Sequence, residues 1–135
     1  MLSRSLLFRA MVGWSAMLLL SAAPVVAAEP PWTAPPTEKG RPNPVPRAEG
    51  VTVGKTVFET NCVMCHGPAG KGDGPVSAAL TPKPRDLTDK KLQAQSDGEI
   101  LWKITTGRGA MPSWQTLPDK DRWSVVAFIR SLGGK

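Results

Sequence analysis

Asn61-Cys62-Val63-Met64-Cys65-His66-Gly67 holds both cysteines and the sole histidine of the 135-residue chain. Two cysteines three apart, followed at once by histidine, is the spacing of covalent haem attachment. On one helical turn the two sulfurs can reach the two vinyl groups of a protoporphyrin ring. The adjacent imidazole is then carried over the ring face, where it can bind iron axially. Cys62 and Cys65 are therefore the candidate thioether positions for one haem c, and His66 is the candidate proximal ligand. Three other uses of these residues fit less well. A structural zinc site takes about four protein ligands, and Cys62, Cys65 and His66 exhaust the conventional nitrogen and sulfur supply. A redox dithiol belongs beside a βαβ pattern, and the chain has no strand-rich stretch. A plain Cys62–Cys65 disulfide leaves the histidine unexplained.

Iron has a second axial face. Met1, Met11 and Met17 lie in the N-terminal apolar segment, and Met64 sits between the two thioether positions, on the wrong side of the ring. That leaves Met111, in Gly107-Arg108-Gly109-Ala110-Met111-Pro112. Glycines permit close backbone approach and Pro112 stiffens the exit. A methionine is ordinarily core filler, but one on a Gly/Pro-framed loop downstream of a haem motif is the candidate distal ligand.

With Gly54-x-x-x-Phe58, Cys62-Val63-Met64-Cys65-His66, Gly109-Ala110-Met111-Pro112 and Trp123-Ser124-Val125-Val126-Ala127-Phe128-Ile129 in place, the chain resembles the class I cytochromes c. Gly72-Asp73-Gly74-Pro75 and Pro82-Lys83-Pro84-Arg85-Asp86-Leu87 look like a bacterial periplasmic branch. That branch is similar to haem domains serving oxidases, nitrite reductases and quinoprotein dehydrogenases. The resemblance covers roughly residues 51–132. It implies an all-α cytochrome c fold, with three main helices and loops wrapped around one covalently bound haem. It also implies that Phe58 packs on Phe128 where Gly54 lets two helices cross. His66 should donate its ring N–H to a proline carbonyl of the following loop, Pro82 or Pro84 fitting better than Pro75. Leu87 should then cover the ring. Trp114, Arg85 and Arg108 are the candidate partners for haem propionates, since the chain has no tyrosine.

Residues 1–28 read as a targeting segment. Arg4 and Arg9 precede an apolar run, and Val26-Ala27-Ala28 offers small residues for cleavage. Residues 10–28 carry no charge and approach the minimum for a membrane span, so a retained anchor stays open beside a cleaved signal. Both place the rest of the chain outside the cytoplasm, in the periplasm. No cysteine follows the apolar run closely, which argues against a lipid anchor.

Residues 29–50 hold seven of the fourteen prolines and read as extended rather than helical. Fully extended, they would reach roughly 70 Å. They are either a semi-rigid linker or an arm laid on the domain with Trp32 as its anchor. Residues 51–135 form the mono-haem domain. A core this small is marginal alone, and haem would supply the missing apolar surface. The expected helices run from about Thr52 to Met64, from the capping box Ser96-Asp97-Gly98-Glu99 to Gly107, and from Thr116–Asp119 onward. Val125, Phe128, Ile129 and Leu132 then form one apolar stripe.

The formal charge of +6 falls by two when residues 1–28 leave with Arg4 and Arg9, and falls further with ionised propionates. Such a balance suits steering toward acidic protein surfaces and is too mild and too mixed for nucleic acid. With both axial positions filled, iron changes charge but offers no site to substrate. The expected function is thus a periplasmic electron carrier between redox enzymes (an oxidase, reductase or dehydrogenase), and not an enzyme. Two other readings are a haem subunit fixed in a larger oxidoreductase complex, and a haem peroxidase. The first touches the membrane only if residues 1–28 are retained. The second needs an open distal site and a polar catalytic residue.

Overall fold

Proline punctuation and glycine spacing decide where the helices begin and how closely they pack. The computed structural model describes residues 30–134, so the expectations for residues 1–28 lie outside the described residues. Among the described residues six α-helices follow in order: α1 (Pro36–Lys39), α2 (Arg47–Asn61), α3 (Val63–His66), α4 (Lys90–Gln93), α5 (Asp97–Thr106) and α6 (Asp119–Leu132). A 3₁₀ turn spans Ser77–Ala79. The described residues contain no β-strand, only an isolated bridge between Arg108 and Met111. The fold is all-α.

The expectation that residues 29–50 carry no helix is corrected. Pro36 opens α1 and Pro46 stands at the N-cap of α2, positions where no backbone N–H is needed and the fixed φ suits a helix start. Helix α2 therefore begins at Arg47 rather than Thr52, with Gly50 packed against Ala127 of α6. It also ends sooner than expected, at Asn61, and the chain re-enters a helix at Val63.

Helices α2 and α6 cross at a near-contact of backbones. A Cβ on Gly54 would overlap the carbonyl of Ser124, so only glycine permits this approach. One turn on, Phe58 meets Phe128 with ring centroids 5.1 Å apart and planes tilted by 55°. Around them Leu101, Trp123, Val125 and Val126 are buried, with Ile100, Ile104 and Ile129 completing the core. Tilted aromatic pairing adds about 0.5–1.5 kcal/mol beyond area burial.

Helix α5 starts where its capping box places it. The Ser96 hydroxyl accepts from the Glu99 N–H at 3.1 Å, and Gly107, at φ 64°, ends the helix. Helix α6 starts at Asp119, after Pro118. Arg130 ties α6 to the start of α5: its Nε donates to Asp97 at 2.7 Å and its Nη1 to the Gln93 carbonyl at 2.9 Å. Charge-assisted bonds of this kind contribute about 1.5–3 kcal/mol each. Gln93 in turn donates to the carbonyls of Leu87 (2.7 Å) and Ile129 (3.0 Å). That fixes the exit of the long 67–89 loop against the core.

Residues 31 onward form one unit with the helices. Ala34 is buried, the Trp32 ring lies beneath the Lys103 ammonium, and Asn43 donates to the Trp123 carbonyl at 2.9 Å. The stretch lies on the domain as an arm, so the reach of a free linker does not apply to residues 31–46.

Candidate functional site

The break at Cys62 builds the centre of the site. Cys62 (φ −118°) ends α2 and caps α3, and both the Cys65 and His66 N–H groups bond back to its carbonyl, at 3.2 and 2.9 Å. Cys62, Cys65 and His66 therefore share one turn. Gly67 follows with φ 74°, a value that favours glycine, and a Cβ there would collide with Asp73. The 67–76 segment then folds back: Gly74 and Val76 donate to the carbonyls of Cys65 and Met64, both at 3.1 Å.

Both cysteines are half-buried, and no disulfide joins them. Burial pushes the Cys62 thiol up to about 12, with repulsion from Cys65 adding to it. Burial also lowers the His66 imidazole below 6.5, opposed by a hydrogen bond to the Arg85 backbone. His66 Nδ1 lies 3.2 Å from the Arg85 carbonyl oxygen. With the proton on Nδ1, that nitrogen donates and Nε2 keeps its lone pair for a metal.

The expectation of a Pro82 or Pro84 acceptor is corrected to the carbonyl of Arg85. The Pro84 carbonyl is turned toward Gly72, where a Cβ would overlap it. Arg85, offered as a propionate partner, directs its side chain to Asp89 at 3.3 Å. Leu87 is buried in the core, and its N–H donates to the Gly70 carbonyl.

Met111 reaches the same core from a separate loop. Arg108 and Met111 exchange two backbone hydrogen bonds, N–H to O at 2.9 and 3.0 Å, which makes residues 108–111 a tight turn. Gly107 and Gly109 take positive φ, 64° and 57°. Met111, Trp114, Cys62 and Val63 are all partly buried against one hydrophobic cluster. Beyond the turn, Trp114 donates to the Ile104 carbonyl at 3.1 Å and Ser113 to the Thr105 carbonyl at 2.7 Å. Arg122 Nη1 bonds Thr105 Oγ1 at 2.7 Å. Reading the sequence missed these pins because they use backbone groups and common polar side chains that carry no motif.

The donor set fits a haem. Cys62 and Met111 margin one apolar core, Cys65 and His66 share the turn with Cys62, and His66 is held through Nδ1. Among the described residues no group of three or more His, Cys, Asp or Glu is placed to hold a metal ion unaided.

An all-α shell closed around a Cys-x-x-Cys-His turn defines a class I c-type cytochrome, with one covalent haem c and its iron. The chain belongs to the cytochrome c family whose model is described as cytochrome c oxidase, cbb3-type, subunit III, matched over residues 49–129.

Among its relatives is the cbb3-type cytochrome c oxidase subunit FixP of Bradyrhizobium diazoefficiens, 36% identical over 84 residues. That match covers 60% of this chain and 27% of the relative. Cytochrome c6 of Chlorolobion braunii is 30% identical over 88 residues, 63% of this chain and 96% of the relative. The chain thus spans under a third of the oxidase subunits it matches and nearly all of the small cytochrome. In the solved Kuenenia stuttgartiensis reducing HAO-like protein complex, one chain superposes with a TM-score of 0.59 at 29% identity. The match covers 66% of this chain and 46% of that one.

Proposed function

We propose that this chain is a periplasmic carrier of single electrons, with haem held by Cys62 and Cys65 and ligated by His66 and Met111. The observation that carries the proposal is His66 fixed through Nδ1 to the Arg85 backbone, so that Nε2 remains the ligating nitrogen. When bound, haem supplies a reversible one-electron iron couple. The remaining roles belong to the chain. His66 holds its ring orientation through Arg85, which strengthens it as a donor. Met111 would hold the iron from its own loop, which would raise the potential relative to a second histidine and deny small molecules a position. The apolar core excludes water and keeps reorganisation small.

Electron transfer calls for a small, transient contact. Met64 and Val76 are the exposed large hydrophobics among the described residues. They neighbour one another through the Val76 N–H to Met64 carbonyl bond, beside the two cysteines. Lys83, Lys90 and Lys91 are exposed and suit an acidic partner surface. Lys71 bonds Thr88 at 2.6 Å and lies 3.7 Å from Asp86, so it braces the loop.

The relatives named as cbb3-type oxidase subunits favour a second reading, a haem subunit fixed in an oxidase. No helix among the described residues is long and apolar enough to cross a membrane, so an anchor would have to come from outside them. A redox titration of the haem-loaded chain, with peroxide turnover measured in parallel, tests carrier against catalyst. One reversible one-electron wave without turnover is expected, and sustained peroxide consumption would overturn the proposal. Release in the soluble periplasmic fraction separates the carrier from the fixed subunit.

A further inference from the structure

Residues 31–46 lie across both helices that frame the Met111 loop. Against α5, the Glu38 carbonyl seats on Gly98 so closely that any Cβ would overlap it. The Lys103 ammonium stands 5.6 Å from the Trp32 ring centroid. Lys103 is itself held by Glu99 at 3.1 Å and Gln95 at 2.8 Å, and its carbonyl accepts from Gly107 at 3.0 Å, where the Met111 loop begins. Against α6, Asn43 donates to the Trp123 carbonyl at 2.9 Å. The Arg41 guanidinium sits 5.3 Å from the Trp123 ring and 4.0 Å from Asp119, where the loop ends.

We infer that this segment is a strap that stiffens the Met111 loop and slows ligand exchange on the distal face of the iron. Trp32 and Asn43 are its positioning residues. The inference rests on Met111 being the distal ligand. The loop is pinned to α5 by the Ser113–Thr105 and Trp114–Ile104 contacts, and Arg122–Thr105 joins α5 to α6, the two helices on which the loop hangs. Swinging Met111 away must break these pins or let the two helices shift. The first is a local opening with its own free energy. The strap opposes the second from outside. It is built of a cation–π contact, a buried alanine and a hydrogen bond to a helix carbonyl, so its loss loosens both posts of the loop while leaving the α2–α6 crossing intact.

The test is the limiting rate at which cyanide binds the ferric, haem-loaded full chain. Trp32→Ala and Asn43→Ala are expected to raise it about tenfold, the size expected from losing one such contact, while the equilibrium spectrum stays that of wild type. Trp32→Phe, which keeps a ring under Lys103, should restore most of the slow rate. Val51→Ala, which trims the packing of α2 on the core and removes none of the strap's contacts with α5 or α6, should leave it unchanged. Should Trp32→Ala fail to hold haem, Asn43→Ala carries the same comparison. Strap variants at the wild-type rate, beside a fast Met111→Ala, would overturn the inference and leave the ligand assignment standing. Equal acceleration by Val51→Ala would also overturn it, as global softening. A Met111→Ala variant with wild-type rate and spectrum would instead remove the ligand assignment beneath it.

Discussion

The Nδ1 atom of His66 lies 3.2 Å from the carbonyl oxygen of Arg85, 19 residues further along the chain. A backbone acceptor cannot be lost by a side-chain change at Arg85, so ring orientation is insulated from most substitutions there. Arg85→Ala should keep haem and shift the potential little, because it removes only the exposed ion pair with Asp89. Spectroelectrochemical titration of the variant checks this, and a large fall in potential would show that the side chain matters electronically.

Covalent attachment follows from the Cys62/Cys65 turn. After expression with a periplasmic haem-attachment system, denatured protein should keep its colour and the mass of one haem. Cys62→Ala with Cys65→Ala should lose both. Mass spectrometry of the intact chain reads the result, and haem extracted from wild type by acid-acetone would contradict it.

The α2–α6 crossing should be the most sensitive packing contact. Phe58→Ala is expected to cost about 3–5 kcal/mol, the usual range for a buried phenylalanine. Gly54→Ala should cost at least as much, since its Cβ meets the Ser124 carbonyl. Denaturant titration of the haem-loaded variants measures both.

How far these features were legible depends on whether their cause is local. The Cys-x-x-Cys-His turn, the Ser96 cap and the Gly107 stop are set by neighbours in sequence, and each is found where the residues place it. The Gly54 and Phe58–Phe128 crossing was legible through family resemblance. Pro46 hid the start of α2, because proline reads as a helix breaker until Gly50 is seen packed on Ala127. The Arg85 carbonyl was invisible, since every residue offers one and only the turn of Pro84 toward Gly72 selects it.

Acid should loosen the 86–93 segment, α4 included, before the longer helices α2, α5 and α6. Hydrogen bonds from the Thr88 hydroxyl and backbone hold the Asp86 carboxyl below its ordinary 3.8, and the Lys91 N–H does the same for Asp89. A depressed folded value means the contribution is fully present above 3.8 and lost as pH falls through the folded value. Carboxyl shifts followed by NMR should therefore titrate below 3.8 at both sites, and midpoints at or above it would refute the assignment. Asp86→Asn should abolish that part of the acid response.

Charge steering predicts that Lys83→Glu with Lys90→Glu slows oxidation by an acidic partner, mainly at low salt. Screening shortens such fields to about 10 Å at 0.1 M. Stopped-flow rates across an ionic-strength series read this directly, and rates indifferent to both charge and salt would remove steering from the account.

The claim that His66 and Met111 together close the iron to substrate is tested most directly by the absorption spectrum of ferric wild type beside Met111→Ala. Wild type should show the weak red-region sulfur-to-iron band, and the variant should lose it, fall in potential and bind small ligands readily. A variant that keeps the band and the wild-type potential would show that Met111 is not the ligand, and the carrier assignment would lose its basis.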